Sequence, residues 1–320
     1  MKRRMVSMMM VLLMMAAVLS GCGSSQQIRF GAAGEGGTYY VYGMSAAETV
    51  RSAKGYEFDV KATAGSAANI RLLSEGYLQM AIAQSDVAAD AWNGVGAFRE
   101  DARTGYSAVA SLYTEFCQII VRGNSEISCV EDLYGKVVSV GEKESGTELN
   151  AQQILECCGL GGTAVQLRND GYRQAAQALK NGEIDAFFCT AGLSMETIRD
   201  LADEVPLRLL SLNERQVERL MDTYGGYVRC TVPARTYAGQ TEEIQTVGVR
   251  AVLLASDELK DEVVKNVLTV LMDNGEKLKT AAGLEMALSL ETCGEGVAIP
   301  YHPGAAAFYR EHGVEMEAAK

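Results

Sequence analysis

Two glycine-rich segments carry the residue types that bind anions. Gly36-Gly37-Thr38 follows the apolar run Ile28–Ala33, and Ser145-Gly146-Thr147 follows Val137–Gly141. In each segment glycine permits close approach of the backbone to a ligand, a hydroxyl is available, and a helix is predicted to begin. The start of a helix presents unpaired N–H groups that bind carboxylates, phosphates and sulfates. The pattern therefore predicts an anion site, and the alternative is that each segment is only a tight turn or a helix cap.

One of these segments is close to a nucleotide phosphate loop but lacks its lysine. The loop pattern ends in Gly-Lys-Ser/Thr, and Thr147 stands at the lysine position. Because that lysine reaches the terminal phosphates, the sequence argues against nucleotide hydrolysis. Gly31–Tyr40 is likewise a poor dinucleotide fingerprint, since Tyr39 stands where the last glycine would be.

Three further polar segments follow predicted strands, at the end of the sheet where open α/β folds bind ligands. They are Ala64-Gly65-Ser66, Gln84-Ser85-Asp86 and Thr190-Ala191-Gly192. Asp86 could instead cap the helix that follows it. From these segments and the two glycine-rich ones, the predicted ligand-binding residues are Gly36, Gly37, Thr38, Tyr39, Gly65, Ser66, Gln84, Ser85, Ser145, Gly146, Thr147, Ala191 and Gly192.

Catalytic motifs are sparse. The chain has two histidines, of which His302 lies in a proline-bracketed turn and His312 lies near the C-terminus. Neither accompanies the Gly-x-Ser-x-Gly elbow of a serine hydrolase. The sequence contains no Cys-x-x-Cys pair, which argues against a zinc site. We therefore expect no enzymatic activity, no metal ion and no cofactor.

The two glycine-rich segments occupy equivalent places in an internal repeat. Thr38 and Thr147 lie 109 residues apart, and Gly76 and Gly182 lie 106 apart. A repeated order of strand, Gly-Thr loop, helix and strand predicts two similar lobes. A cleft between two lobes is a common place for a small ligand.

Short apolar runs alternate with helical patterns, which is typical of βαβ units and a mainly parallel sheet. The predicted strands are Ile28–Ala33, Phe58–Thr63, Leu78–Gln84, Val137–Gly141, Val165–Arg168 and Ile184–Thr190. Ser107–Gly123 and Val247–Leu254 are predicted to be the two crossings between lobes. The helices predicted to return to the first lobe are Asp257–Asn274, Gly275–Leu290 and Ala305–His312.

Two helix starts have recognisable caps. Ser145 and Glu148 form the Ser-x-x-Glu pattern of a capping box, in which each side chain pairs with the other's backbone. Ser66 is predicted to cap the helix that ends near Gly76.

The N-terminus is predicted to be a signal rather than part of the fold. Lys2, Arg3 and Arg4 precede the apolar run Met8–Val18, which is too short for an ordinary membrane span. Leu19–Cys22 then resembles the bacterial lipobox, whose cysteine is lipidated after cleavage; the alternative is a generic secretory signal. The predicted organisation is a signal peptide (1–21), a tether (22–27), a discontinuous first lobe (28–113 and 253–320) and a second lobe (114–252).

The net charge of the protein restricts its possible binding partners. Loss of the signal peptide shifts the formal charge from −12 to −15. Such an acidic protein is a poor partner for nucleic acid, because phosphate binding needs Lys and Arg. An anionic ligand remains possible, since charges are screened over about 8 Å at physiological salt.

Seven cysteines remain besides Cys22, so at least one is unpaired. We expect buried free thiols, with one disulfide as the alternative.

Over nearly all of its predicted mature length the chain resembles the TAXI group of solute receptors, the extracytoplasmic binding proteins of one branch of TRAP transporters. Nine segments in the expected order carry the resemblance: Gly36–Tyr40, Gly65–Asn69, Ala83–Ala88, Ala110–Glu115, Val138–Gly141, Ser145–Asn150, Ile184–Phe188, Thr246–Ala251 and Ile299–Ala305. Two positions depart from the group's pattern. Thr114 stands where proline is common, and Ala64 stands where glycine is common.

The resemblance implies a periplasmic binding protein-like (type II) fold with two crossings between its lobes. It adds Tyr113 to the ligand-binding residues. It implies a monomeric receptor that binds a small organic carboxylate, such as glutamate, glutamine or a 2-oxoglutarate-like dicarboxylate, and delivers it to a TRAP-type membrane permease. The protein would be held extracytoplasmically at the cell membrane, on its periplasmic face or the outer cell surface, by the lipid on Cys22. The alternatives are a solute-sensing lipoprotein without a transport role and an enzyme built on a two-lobe scaffold.

Overall fold

A computed structural model describes residues 27–319 of the protein. The predicted signal peptide, Cys22 and the rest of the tether up to residue 26 lie outside these residues. Gln27 was expected to end the tether, but it begins the first strand. No helix within the described part of the chain has the length and apolar character needed to span a membrane.

The first part of the fold alternates strands and helices, as the apolar runs predict. Its elements are β1 (Gln27–Gly31), α1 (Thr38–Lys54), β2 (Glu57–Lys61), α2 (Ser66–Ser74), β3 (Met80–Gln84) and α3 (Ser85–Asn93). Strand β1 pairs in parallel with both β2 and β3. All five residues of β3 are buried, because helices cover both of its faces, as is usual in a parallel sheet. We call these elements the first half of the fold.

The chain then runs through a long strand, β4 (Tyr106–Arg122), into a second set of alternating elements. These are β5 (Val137–Ser139), α4 (Gly146–Cys157), β6 (Gln166–Arg168), α5 (Tyr172–Asn181), β7 (Ala186–Ala191) and α6 (Glu196–Glu204). Strand β5 pairs in parallel with β6 and β7, which repeats the arrangement of the first half. We call this set the second half.

The remaining elements complete the sheet and return to the first half. They are β8 (Leu207–Leu209), α7 (Glu214–Thr223), β9 (Val228–Val232), β10 (Ile244–Ser256), α8 (Asp261–Asp273), α9 (Gly275–Ala282) and α10 (Pro303–Glu311). The strand order is β2-β1-β3-β10-β4-β7-β5-β6, with β8 beside β4 and β9 beside β10.

Strands β4 and β10 connect the two halves. They run antiparallel from Phe116 opposite Gly248 to Tyr106 opposite Ser256, with two register shifts in the ladder. One end of β10 pairs with β3 in the first half, and the other end of β4 pairs with β7 in the second. Both connections between the halves are therefore neighbouring strands of one ladder.

The hydrophobic clusters follow the same division. One cluster combines residues 28–113 with residues 251–309. Two others take their buried residues from positions 116–249, on the two faces of the second half. The predicted lobe boundaries remain a prediction, and this separation of the clusters supports them.

Most predicted elements are present, and three local predictions are wrong. The helix predicted for Gly275–Leu290 ends at Ala282, where Gly283 adopts φ 64° and stops it. Ser66 is the first residue of α2 and not its cap; Gly65 is the N-cap, and the Ser66 hydroxyl accepts a hydrogen bond from Gln84 N. The capping box is half formed, since Ser145 Oγ accepts from Glu148 N but the Glu148 carboxylate accepts from Glu144 N.

The seven cysteines of the described chain, Cys117, Cys129, Cys157, Cys158, Cys189, Cys230 and Cys293, are free. Five are buried, whereas Cys129 and Cys158 are partly exposed. The expectation of free thiols is therefore met in the structure, although burial is incomplete for two of them.

Candidate functional site

A cavity of about 180 Å³ lies between the two halves, at the carboxyl ends of the parallel strands. Residues from both glycine-rich segments line it. Of the predicted ligand-binding residues, ten lie on its wall: Gly37, Thr38, Tyr39, Gly65, Ser66, Gln84, Ser145, Gly146, Thr147 and Ala191. The repeat therefore brings its two equivalent loops to face one another across a common space.

Five helices begin at the edge of this cavity. Their first residues or N-caps, all on the cavity wall, are Thr38, Ser66, Gln84, Gly146 and Tyr172. The N-termini of α1, α2, α3 and α5 have no side-chain cap. The first-turn N–H groups of a helix have no partner four residues earlier. Two of them donate to the protein here, Ala68 N to the Glu144 carbonyl oxygen and Tyr40 N to that of Gly37, and those without a protein partner are available to a ligand or solvent. Each N-terminus also carries partial positive charge, and together they favour an anion.

The second half contributes a small hydroxyl network to the wall. Thr147 Oγ1 and Tyr172 Oη lie 2.7 Å apart, and Tyr172 Oη also lies 2.9 Å from the Thr190 carbonyl oxygen. Thr190 N donates to Thr147 Oγ1 over 3.3 Å. The hydroxyl of Thr147, which the sequence predicts as a ligand contact, is therefore held in place by the start of α5 and the end of β7.

A buried carboxyl group forms part of the floor. Glu115, on the connecting strand β4, is 2% exposed and lines the cavity. Tyr39 Oη donates to Glu115 Oε2 over 2.5 Å. Burial raises the pKa of Glu115 to about 8, against the lowering effect of the Tyr39 hydrogen bond. At neutral pH this group is therefore mostly protonated in the empty cavity.

Gln84, at the end of β3, lies beside this carboxyl group. Its side chain is buried, and its Oε1 has no hydrogen-bond partner among residues 27–319. The amide end packs directly against Gly146 of the other half, where a Cβ would overlap it. A side chain at position 146 would therefore have to displace the Gln84 side chain for the two halves to approach this closely.

Charged side chains surround the mouth of the cavity. Arg173 is the one basic residue on the described wall, whereas Glu35, Glu142 and Asp170 are acidic. Asp170 Oδ1 is held by Arg168 at 2.9 Å, while its Oδ2 is buried without a partner in the described structure. Burial also raises the pKa of Glu142. The cavity therefore combines anion-binding helix termini with acidic side chains.

Four predicted site residues lie off the cavity wall. Gly36 adopts φ 86°, and a Cβ there would lie 2.7 Å from Arg173 Nε, so it contacts the second half without lining the cavity. Ser85 lies behind the wall, where its Oγ accepts from Arg250 N over 3.3 Å. Tyr113 and Gly192 line a separate cavity of about 310 Å³.

A second polar contact joins the two halves behind the cavity. Asn150 Nδ2 of α4 lies 3.0 Å from Asp86 Oδ2 of α3 and 2.9 Å from Tyr227 Oη. Burial raises the pKa of Asp86 to about 6, more than the Asn150 hydrogen bond lowers it. Asp86 is therefore part of the contact between the halves and does not cap α3, whose N-cap is Gln84.

Some wall residues that sequence patterns alone do not assign to the site still have a partial signal in the sequence. Glu115 lies in a segment that carries the family resemblance, and Thr190 was noted only as part of a strand end. Tyr172 and Arg173 have no such signal, because no local pattern shows that α5 begins against Thr147. Contacts between residues this far apart in sequence depend on the fold.

The cavity wall carries few of the side chains common in catalytic sites. Among its described lining residues there is no histidine or cysteine. His302 instead caps α10 through Nδ1, and burial lowers its pKa. Within residues 27–319 no group of three His, Cys, Asp or Glu side chains is placed to hold a metal ion.

Solved structures with a similar architecture include binding proteins and a protein assigned to an ABC transporter. A binding protein component of an ABC phosphonate transporter from Pseudomonas aeruginosa is 13% identical, with a TM-score of 0.56, over 90% of this chain and 94% of that one. A protein assigned as an L-cystine ABC transporter from Listeria monocytogenes is 16% identical, with a TM-score of 0.51, over 82% and 98%. The alkanesulfonate-binding protein of Xanthomonas axonopodis pv. citri, bound to MOPS, is 14% identical, with a TM-score of 0.50, over 91% and 85%.

At these identities the likeness establishes the fold alone. It confirms the predicted class, an α/β fold of the type II periplasmic binding proteins with a mixed sheet. The TAXI group is a finer assignment that these comparisons leave open. The model of the NMT1-like family matches residues 30–313, which is most of the sequence, and the chain therefore belongs to the NMT1-like family.

Proposed function

We propose that the protein is an extracytoplasmic solute receptor that binds a small organic carboxylate in the cavity between two lobes. The observation that carries this proposal is the convergence of five helix N-termini on one cavity, four of them without a side-chain cap. Helix N-termini bind carboxylates, phosphates and sulfates through backbone N–H groups. The hydroxyls of Thr38, Ser66 and Thr147 add neutral polar groups on the same wall.

The energetics favour a site that needs both lobes. Micromolar affinity corresponds to a favourable binding free energy of about 8.2 kcal/mol. One helix terminus contributes roughly 0.3–1 kcal/mol, and a hydrogen bond to a charged group contributes about 1.5–3 kcal/mol. Donors from α1 or α2 alone would fall short of this total. Donors from α4 and α5 on the other lobe would supply the rest, so binding would stabilise the closed arrangement.

We further propose that the receptor serves a TRAP-type permease of the TAXI branch and is anchored to the cell membrane through a lipid on Cys22. Support comes from the nine sequence segments that resemble this group and from the lipobox-like Leu19–Cys22. Type II binding proteins of ABC transporters share the fold, so the membrane partner has to be identified directly. The test is uptake of labelled ligand by vesicles that contain the proposed TRAP-type permease, measured with and without this protein. Uptake that depends on the protein distinguishes a transport receptor from a sensor.

Ligand binding is tested first by a thermal-shift screen of the chain lacking residues 1–22. The panel contains amino acids, dicarboxylates, phosphonates and sulfonates at the same concentration. A ligand present at 100 times its Kd stabilises the folded state by about 2.7 kcal/mol, which corresponds to roughly 5 °C for a chain of this size. A carboxylate that produces this shift supports the proposal. If only phosphonates or sulfonates raise the melting temperature, the ligand is one of these oxyanions and not a carboxylate.

The site is then tested by calorimetry on Thr147→Ala. This change removes a hydroxyl that lines the cavity and contacts Tyr172. Affinity should fall by about tenfold, equivalent to about 1.4 kcal/mol. Thr163→Ala, at an exposed position in the loop before β6, is the control and should bind like the wild type. Equal affinity of the Thr147 variant would exclude this cavity as the ligand site.

A further inference from the structure

The floor of the cavity differs chemically from its walls. The walls present N–H groups and hydroxyls, which are donors. The side chains of Gln84 and Glu115 form part of the floor, and Gln84 Oε1 is buried against Gly146 with no hydrogen-bond partner in the described structure. A buried acceptor without a partner is destabilising, and the large majority of buried polar atoms are paired. A ligand that brings a donor to this place would remove that penalty.

The charges around the cavity point in the same direction. Besides Glu115, the described wall carries Glu35, Glu142 and Asp170 against the single cation Arg173. A ligand with two carboxylates would place one at the helix N-termini and the other among acidic side chains. A ligand with one carboxylate and one protonated amine would match both regions, because opposite charges within about 4–6 Å stabilise each other.

We propose that Gln84 and Glu115 form a subsite for a protonated amine, so that the ligand is an amino acid and the corresponding acid without the amine is rejected. This inference rests on the proposed carboxylate-binding function and narrows it. In the bound state the ammonium group donates to Gln84 Oε1 and to the Glu115 carboxylate, while the carboxylate of the ligand is held by the helix N-termini. Tyr39 continues to donate to Glu115 Oε2.

A proton change should accompany amine binding. In the empty cavity Glu115 is mostly protonated at neutral pH, since burial raises its pKa to about 8. A cation beside it favours the ionised form, so its proton is released to solvent when the amine binds. The titratable groups that face Glu115 are Tyr39, Asp86, Tyr113, Cys117, Tyr172 and Cys189. Except for Asp86, burial raises their pKa values well above neutral, so they stay protonated.

The test compares matched ligand pairs by calorimetry: L-glutamate with glutarate, L-glutamine with glutaramate, and L-leucine with 4-methylpentanoate. For at least one pair, the amino acid should bind tenfold or more tightly than its partner at pH 7. The enthalpy of that binding should differ between Bis-Tris and Tris buffers, neither of which is an oxyanion, by an amount that corresponds to release of up to one proton. Equal affinities within every pair, or tighter binding of the acids without the amine, would overturn the subsite while leaving carboxylate binding intact.

Two variants separate the subsite from a structural effect. Glu115→Gln retains an acceptor for Tyr39 but removes the ionisable group, so proton release should disappear and the preference for the amino acid should fall at least tenfold. Glu48→Gln makes the same charge change at an exposed position of α1. It should leave proton release and the preference for the amino acid unchanged. Proton release that persists in Glu115→Gln would refute the assignment. If no carboxylate of the thermal-shift panel binds the wild type, the proposed function fails, and the subsite proposal fails with it.

Discussion

Asn150 Nδ2 lies 3.0 Å from Asp86 Oδ2, and this hydrogen bond joins α4 of one half of the fold to α3 of the other. Both residues are buried, and neither Asp86 Oδ1 nor Asn150 Oδ1 has a hydrogen-bond partner in the described chain. Asp86 lies two residues after the cavity residue Gln84 in sequence, and Asn150 lies one turn after Gly146. The contact is thus coupled to the site by short stretches of two helices.

The raised pKa of Asp86 gives the protein a definite dependence on pH. Its folded pKa, about 6, exceeds the value of 3.8 for an unperturbed aspartate. The folded state therefore binds more protons between these values, and the contribution of this group to stability falls as pH rises from about 4 to about 6. Asp86→Asn removes this loss while keeping an acceptor for Asn150. We expect the variant to gain up to about 3 kcal/mol over the wild type at pH 7 and little at pH 4.

Urea denaturation of both proteins at pH 4, 5, 6 and 7 measures this difference. A constant difference across the series would show that Asp86 is ionised in the folded protein throughout this range. Glu144→Gln, at an exposed residue that pairs with Arg71 between the two halves, controls for general loss of negative charge and should change stability by less than about 1 kcal/mol.

Gly146 controls how closely the two halves approach. A Cβ at this position would overlap the side chain of Gln84, so Gly146→Ala should hold the cavity partly open. We expect at least about tenfold weaker ligand binding and a larger radius of gyration by small-angle X-ray scattering at saturating ligand. Gly225→Ala, where a Cβ meets nothing within 4 Å, is the matched control. A Gly146→Ala protein that closes and binds normally would show that Gln84 moves aside at little cost.

Thr114 supports the buried Arg250 across the connecting strands. Its Oγ1 accepts a hydrogen bond from Arg250 Nη1 at 3.0 Å, and Ser111 Oγ accepts from Nε at 2.8 Å. Because Nη2 of the same guanidinium is already unpaired in the described structure, Thr114→Val should destabilise the fold by about 1.5–3 kcal/mol. Thermal or urea unfolding measures this effect. Thr231→Val, on the exposed face of β9, should change stability by about 0.5 kcal/mol or less.

The proline that is common at position 114 in the resembling group would act differently. Thr114 lies within the ladder between β4 and β10, where proline provides no N–H group and is disfavoured. We expect Thr114→Pro to lose more stability than Thr114→Val in the same measurement, because it loses the Arg250 contact and strains the strand as well. A Pro variant at least as stable as the Val variant would contradict this interpretation of the departure.

The cysteines allow a direct check of the free thiols. The chain from Gly23 onward should release seven equivalents in a thiol assay under denaturing conditions, with or without a reductant. In the native state the five buried thiols should react slowly, because reaction needs an accessible thiolate. Cys158 should also react slowly, since burial raises its pKa to about 12. Fewer than seven equivalents without a reductant, restored to seven by reduction, would reveal a disulfide.

The strands and the positions of the two loops follow closely from the sequence. Buried parallel strands give continuous apolar runs such as Met80–Gln84, and glycines mark the turns that end helices, as Gly76 and Gly182 do. These features depend on residues that are close together in sequence, so local sequence patterns predict them. The same reasoning placed ten of the predicted residues on the wall of one cavity.

The floor and the contacts between the halves could not be predicted in this way. Glu115 is one residue within a strand of 17, and nothing near it in sequence shows that Tyr39, 76 residues earlier, donates to it. The failure of the capping box has the same origin. The Glu148 carboxylate accepts from Glu144 N and from Asn169 Nδ2, and the second of these partners comes from the loop before α5.

The side-by-side course of β4 and β10 has a mechanical consequence. Since the two strands share one ladder, neither can bend without its neighbour, and twisting one half against the other would break their hydrogen bonds. The shared ladder therefore favours rotation about an axis across both strands over twisting of one half against the other. The register shifts between Ala251 and Val252 and between Leu253 and Leu254 are where the ladder is least regular. In the proposed receptor, the empty and the filled forms would then differ mainly by this one angle, which the proposed membrane partner could sense from the outer surface alone.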